Sequence, residues 1–181
     1  KQSSLFIGLP KEKAFQENRI SIVPDAVNLL VSHGHDVLVE SGAGDNASFT
    51  DNQYSEAGAK IVYNVKEVYQ ADIIIKVEPP TIDEIKLMKG RQTLISALQI
   101  TTQSKEYIQQ LLKKKITALA FEYIHDECGL MPFMRSMSEI AGNTSLLIAS
   151  EYLSNVNNGN GLMLGGVAGV TPTEVVIIGA G

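Results

Sequence analysis

Arg19, Lys76 and Gln99 each stand after a short apolar run: Arg19 closes PKEKAFQENR behind SLFIG, Lys76 ends IIIKVEPP, and Gln99 follows TLISAL. If those runs are strands of an open α/β sheet, all three residues sit at carboxyl ends, the edge where such sheets place ligands. An arginine there offers a planar fork matched to a carboxylate, whereas a lysine such as Lys11 or Lys13 in the same loop acts as a point charge. The plainer reading of Arg19 is a solvated surface residue. Lys76 ends a strand that should be buried, and a charge in that position needs a partner or a task. It could hydrogen-bond a carbonyl or carboxylate oxygen and, with a lowered pKa, exchange protons; equally, Glu78 could pair with it structurally. Gln99 can donate to or accept from a ligand but cannot take up a proton at neutral pH.

The remaining reactive residue types point to little. His33 and His35 flank the glycine that ends an apparent helix, where they face its negative end, and His125 is isolated. Cys128 is the single cysteine, so it has no internal disulfide partner; it suggests a reducing compartment and lies in no metal-ligand spacing. The sequence contains no nucleophile elbow, zinc pattern or phosphate loop, and no metal ligand is assigned.

The elements that must hold these side chains alternate along the chain. SLFIG, DVLVE, KIVY, ADIIIKV, TLISAL and ITALAF read as strands, with amphipathic segments between them. Pro24 suits a helix start, Thr50 or Asp51, Asn64 and Thr81 are candidate caps, and KEYIQQLLKKK reads as a helix whose terminal lysines face the negative end of its dipole. This pattern predicts an α/β fold, a mostly parallel sheet with helices on both faces, Rossmann-like or flavodoxin-like. With 181 residues, 44% of them apolar, there is material for one such domain and a tail. SMSEIAGNTSLLIASEYLS reads as a long helix started by the capping-box pair Ser136 and Glu139. The glycine- and asparagine-rich run that follows suits a hinge. The expected organisation is a first domain over 1–156, a linker over 157–172, and from 173 the first strand of another domain. EVVIIGAG, ending the sequence at Gly181, has the form of a buried strand running into G-x-G, the opening of a dinucleotide-binding unit cut off there. A net charge of −5 argues against a nucleic-acid footprint. The apolar stretches are too short to span a bilayer and KQSSLFIG holds no secretory core, so no membrane role and a cytoplasmic location are expected.

PKEKAFQENRISIVPDAVNLLVSHGHDVLVESGAG, IIIKVEPP, MSEIAG and LGGVAGVTPTEVVIIGAG occur in one order, and together they resemble the amino-terminal part of the family containing alanine dehydrogenase and the NAD-binding subunit of proton-translocating transhydrogenase. The resemblance covers essentially the whole chain. It implies a substrate-type domain followed by a Rossmann domain that binds NAD. It implies that Arg19 grips the substrate carboxylate, that Lys76 contacts substrate and shares in the proton steps, and that Met137 and Ser138 lie at the cleft, toward substrate and cofactor respectively. Gly179, Ala180 and Gly181 would line the cofactor pyrophosphate. Gln99 departs from the dehydrogenase pattern, which carries a catalytic histidine there; transhydrogenase subunits have glutamine. Against the transhydrogenase branch, LMPFMRSMSEIAG lacks that branch's glutamine and aspartate, with Pro132 in the aspartate's place. The resemblance therefore implies an NAD-dependent alanine dehydrogenase interconverting L-alanine with pyruvate and ammonium, in which Gln99 orients the carbonyl without supplying a proton. It also implies homo-oligomers, hexameric in dehydrogenases and dimeric in transhydrogenase subunits. The alternatives are a subunit exchanging hydride between NAD(H) and NADP(H), and a non-catalytic homologue. This stretch alone would hold half a cleft and be inactive.

Overall fold

The computed structural model describes residues 4–179. The chain forms two compact units, Lys1–Tyr123 and Ile124–Gly181.

The first unit is a six-stranded sheet of β1 (Phe6–Leu9), β2 (Asp36–Glu40), β3 (Lys60–Val62), β4 (Ile73–Ile75), β5 (Thr93–Ser96) and β6 (Thr117–Ala120). Every pairing is parallel, in the order β3-β2-β1-β4-β5-β6. The chain builds outward from β1 through β2 to β3, then returns to lay β4 on the other side of β1, with Ile7 against Ile73 and Gly8 against Ile74. The order reverses between β1 and β4, so the loops leaving those strands diverge and open a crevice at their carboxyl ends.

Helices α1 (Pro24–Ser32), α2 (Asp51–Glu56), α3 (Val65–Val68), α4 (Ile82–Leu87) and α5 (Lys105–Lys113) link the strands. Two apolar clusters result. Ile7, Leu9, Val37 and Val39 pack with Val27 of α1 and Tyr54 of α2, while Leu38, Ile74 and Leu94 pack with Val68 of α3, Ile85 of α4 and Leu111 of α5. Helices thus cover both faces, as the uninterrupted apolar strands predict. At the centre Gly8 is required sterically: a Cβ there would strike the Val68 carbonyl oxygen and lie 3.0 Å from the Ala71 Cβ.

The expected caps form. Pro24 opens α1, Thr50 and Thr81 build capping boxes with Gln53 and Glu84, and Asn64 accepts from Lys66 N–H. One cap departs from expectation, because Lys114 donates to the carbonyls of Lys86 and Met88, serving the end of α4 instead of its own helix.

In the second unit α6 spans Pro132–Leu153. It begins a turn before the predicted Ser136–Glu139 box, because Pro132 occupies the first helical position, where its missing N–H costs nothing. Ser136 Oγ then turns back to the Pro132 carbonyl at 3.0 Å, and Glu139 takes Arg135 at 3.0 Å. Past α6, residues 157–172 hold no regular element beyond the end of a short 3-10 turn at Asn155–Asn157. That run folds back on the helix end, with Gly159 N–H donating to the Ser154 carbonyl (2.9 Å) and Gly161 N–H to the Leu153 carbonyl (2.8 Å). The division between the two compact units falls ahead of α6, at Tyr123/Ile124. The predicted strand in EVVIIGAG is not formed among the described residues, and Val176, Ile177 and Ile178 are exposed. A strand exists only through ladder partners, and this run has none there.

Candidate active site at the carboxyl edge of the sheet

Lys76 follows β4 directly and is 2% exposed. Its Nζ lies 3.3 Å from Glu12 Oε2 and 3.3 Å from Glu84 Oε1. The partner anticipated from spacing, Glu78, is not one of these two. Glu12 comes from the loop after β1 and spans the crevice: its Oε1 accepts the Val77 N–H at 2.6 Å, and its Oε2 accepts the Glu78 N–H at 3.4 Å. Glu84 is placed by the capping box of α4, its Oε2 accepting the Thr81 N–H at 2.8 Å, which leaves Oε1 for Lys76 and for the more exposed Lys13 at 3.8 Å.

Two buried carboxylates share one buried ammonium, and they do not titrate alike. Glu12 is raised above the ordinary carboxylate value, because burial outweighs the Lys76 charge and the two backbone N–H groups. Burial also acts to raise Glu84, but the Lys76 charge and the Thr81 N–H together overcome it, and the group is lowered. The tyrosines beside them report the same dry surroundings: Tyr107 is pushed up to about 12, first by burial and then by the charges of Glu84 and Glu122.

Arg19 lies half-exposed at the mouth of the crevice and already holds a carboxylate. Its Nε donates to Glu17 Oε1 at 2.8 Å, a second guanidinium nitrogen reaches Glu17 Oε2 at 2.5 Å, and the Arg19 backbone N–H also donates to Glu17 Oε1 at 2.8 Å. The Arg19 side-chain bond is the main reason Glu17 titrates below its ordinary value. Glu78 lies 3.6 Å from the same guanidinium and accepts from Gln99 Nε2 at 3.3 Å. Glu78 therefore joins Arg19 to Gln99, while Glu12, through the Glu78 N–H, joins this string to Lys76. The three residues singled out from the sequence are brought to one edge, linked by carboxylates.

Gln99 adopts a left-handed conformation, φ 48° and ψ 45°. For a residue with a Cβ this costs on the order of 1 kcal/mol, and Glu122 offsets it by accepting both the Leu98 and Gln99 N–H groups at 2.8 Å. Glu12, Glu17, Glu84 and Glu122 escaped the sequence reading. Two left traces in it: Glu84 completes a Thr-x-x-Glu box, and Glu122 follows ITALAF as Lys76 follows its own strand. Lys11 serves through its backbone, donating N–H to Glu40 Oε2 at 2.9 Å.

Met137 and Ser138 lie on α6 in the second unit, with exposed side chains. Gly179 has φ 93°, a conformation suited to glycine. Ala180 and Gly181 lie outside the described residues. His33 Nδ1 donates to the Leu29 carbonyl oxygen, 2.7 Å away, at the end of α1 as expected.

A six-stranded parallel sheet of this order, with an arginine, a lysine and a glutamine gathered at its switch point, is a Rossmann-like domain of the α/β class. The profile of the family "Alanine dehydrogenase/PNT, N-terminal domain" matches residues 8–141, and that of "Alanine dehydrogenase/PNT, C-terminal domain" matches residues 145–181. The chain belongs to the alanine dehydrogenase/PNT family. It is 42% identical over 178 residues to an alanine dehydrogenase of Methanococcus maripaludis, covering 98% of this chain and 48% of that protein. With an alanine dehydrogenase of Staphylococcus epidermidis it shares 39% identity over 175 residues, 97% of this chain and 47% of that one. A solved L-alanine dehydrogenase superposes with a TM-score of 0.87 at 36% identity, over 92% of this chain and 46% of the other. A transhydrogenase from Sinorhizobium meliloti superposes with a TM-score of 0.60 at 29% identity, over 65% and 35%. The chain thus spans about half the length of the curated relatives it matches. No helix among the described residues is long and apolar enough to cross a membrane.

Proposed function

We propose that the protein to which this chain belongs is an NAD-dependent alanine dehydrogenase, converting L-alanine to pyruvate and ammonium and back, cytoplasmic and homo-oligomeric. The observation that carries this reading is the buried Lys76 ammonium held between Glu12 and Glu84, one backbone step from the string linking Arg19 to Gln99. The similarity to alanine dehydrogenases, higher in identity and coverage than that to the transhydrogenase, supports it.

In this proposal the substrate carboxylate displaces Glu17 from the Arg19 fork, and paired charge-assisted bonds fix the α-carbon. Lys76, held by two carboxylates, donates a hydrogen bond to the carbonyl oxygen of pyruvate and stabilises the charge developing on it. Gln99 orients the same carbonyl through its amide. Met137 would contribute to substrate binding. A nicotinamide cofactor, when bound, carries the hydride. Ser138, Gly179, Ala180 and Gly181 would hold it; the φ of 93° at Gly179, after an apolar run, fits the tight turn such a cofactor needs.

The test is NADH oxidation by the full-length protein with pyruvate, with and without ammonium, repeated with NADPH. Turnover that requires ammonium supports the assignment. NADH binding without turnover, accompanied by hydride exchange with an NADP analogue, would instead favour the transhydrogenase-like reading. Binding with neither activity would favour a non-catalytic homologue. Sedimentation of the same protein tests the oligomer.

A further inference from the structure

At the opposite, amino edge of the sheet, the turn from α4 into β5 meets the turn from α5 into β6 around a cavity of about 510 Å³. Lys86, Lys89, Arg91, Lys113, Lys114 and Lys115 line it, and no carboxylate does. The whole chain has 15 lysines and arginines against 20 acidic residues, so cations here are gathered, not interspersed.

Complementing helix ends explains only part of this. It accounts for Lys114, whose Nζ donates to carbonyls at the end of α4. Lys86 and Lys89 are occupied by Asp83 at 2.8 Å and Asp72 at 2.6 Å, but these pairs are exposed and exchange readily. Arg91, Lys113 and Lys115 form no ion pair among the described residues.

The rim is rigid. Arg91 and Lys115 both hold φ 55°, a left-handed conformation unfavourable to residues with a Cβ. The two turns are tied together by Arg91 N–H donating to the Lys114 carbonyl at 2.9 Å and Thr117 N–H donating to the Gln92 carbonyl at 2.9 Å. Beneath them Gln92, 1% exposed, accepts the Gly90 N–H at 3.1 Å and donates to the Tyr69 carbonyl at 2.8 Å. Such a fixed frame spends conformational freedom to hold like charges together, and Asp83 and Asp72 offset only Lys86 and Lys89 among them, leaving a local excess of like charge that is destabilising. The cavity has the size of a small-molecule site but no aromatic or aliphatic side chain to stack a base or seat an acyl chain.

We infer that this cavity binds a compact polyphosphate, either an inorganic chain or the triphosphate tail of a nucleotide. The site is remote in the fold from the Arg19–Lys76 edge and stands or falls independently of the dehydrogenase reading.

The experiment is a titration of the chain with inorganic triphosphate at low ionic strength, followed by calorimetry and by amide NMR shifts. The expected result is one saturable site that perturbs Gly90, Arg91, Lys114 and Lys115 and leaves Lys76 and Gln99 unmoved. Combined Arg91→Gln, Lys113→Gln and Lys115→Gln substitutions should weaken binding at least tenfold while the melting temperature stays unchanged. ATP distinguishes the two sources: equal affinity assigns the phosphate chain alone, and tighter binding assigns a nucleotide. The inference is overturned by the absence of saturation, by undiminished binding in the triple variant, or by citrate binding as tightly as triphosphate. It is also overturned if a DNA duplex or vesicles containing phosphatidylserine bind this face and triphosphate does not compete.

Discussion

Arg19 illustrates how much chemistry depends on the shape of a charge. Its guanidinium meets Glu17 through two nitrogens at once, a geometry that a lysine ammonium cannot reproduce. In the full-length protein, Arg19→Lys should raise the KM for pyruvate at least tenfold, a loss of about 1.4 kcal/mol or more; steady-state kinetics that leave KM unchanged would remove Arg19 from the site. Gln99 poses the complementary question of where the protons travel. Gln99→His places a titratable group on a backbone already clamped by Glu122, and it should raise turnover or move the pH optimum. A flat pH–rate profile would locate the proton route elsewhere, with Lys76 the nearest candidate. The positions of these three residues were legible because each follows an apolar strand. Their partners were not, since Glu12 and Glu84 lie 64 and 8 residues from Lys76 in the sequence, and only the fold closes those distances.

At the scale of elements, α4 shows one residue serving two structures. Glu84 completes the capping box with one oxygen and holds Lys76 with the other. Thr81→Ala should therefore lower stability by about 0.5–2 kcal/mol, as loss of an N-cap does, and should also loosen Lys76. Urea denaturation measures the first effect; the second should appear in the full-length protein as a change in kcat as well as KM. Thr81→Ser, which keeps the cap hydroxyl, should restore both. The caps at Thr50, Asn64 and Thr81 could be read directly because capping is local chemistry confined to four residues. The start of α6 was misplaced by the same reasoning: a good box at Ser136–Glu139 lost to a proline one turn earlier, and local patterns of equal quality do not say which one the chain uses. The run from Val175 to Ile178 shows what local reading supplies and what it does not, since apolar content marks a segment fit for a sheet while pairing alone makes it a strand.

For the molecule as a whole, the two carboxylates beside Lys76 tie folding to pH with opposite signs. Glu84 is lowered from its ordinary 4.5 in the folded chain, so its contribution is complete above that value and is lost as pH falls through the folded one. Glu12 is raised from 4.5, so its contribution is present below that value and is lost as pH rises through its folded one. Glu84→Gln should flatten the acid side of the stability curve, and Glu12→Gln the opposite side, in urea midpoints measured from about pH 3 to about pH 8. Parallel curves for the parent and both variants would mean that neither glutamate links folding to pH. The sheet and its two helical layers were legible in the alternation of runs, whereas the return of the glycine-rich run onto the end of α6 was not, because it depends on backbone bonds from Gly159 and Gly161 that no side chain announces.

The Arg19–Glu17 ring has a consequence for traffic through the crevice. A bare arginine would greet any passing anion and hold it by the full attraction of its charge. This one arrives already satisfied, so an acid taken up there, as the proposed function requires, would not fill a vacancy but would trade places with a resident that never leaves the premises. What such a ligand gains is only the difference between two similar carboxylates, and what it leaves behind on departure is a site that closes itself. Under the proposed function, such an arrangement would suit brief tenancy over storage and would keep the mouth of the crevice from being occupied by whatever salt is most abundant.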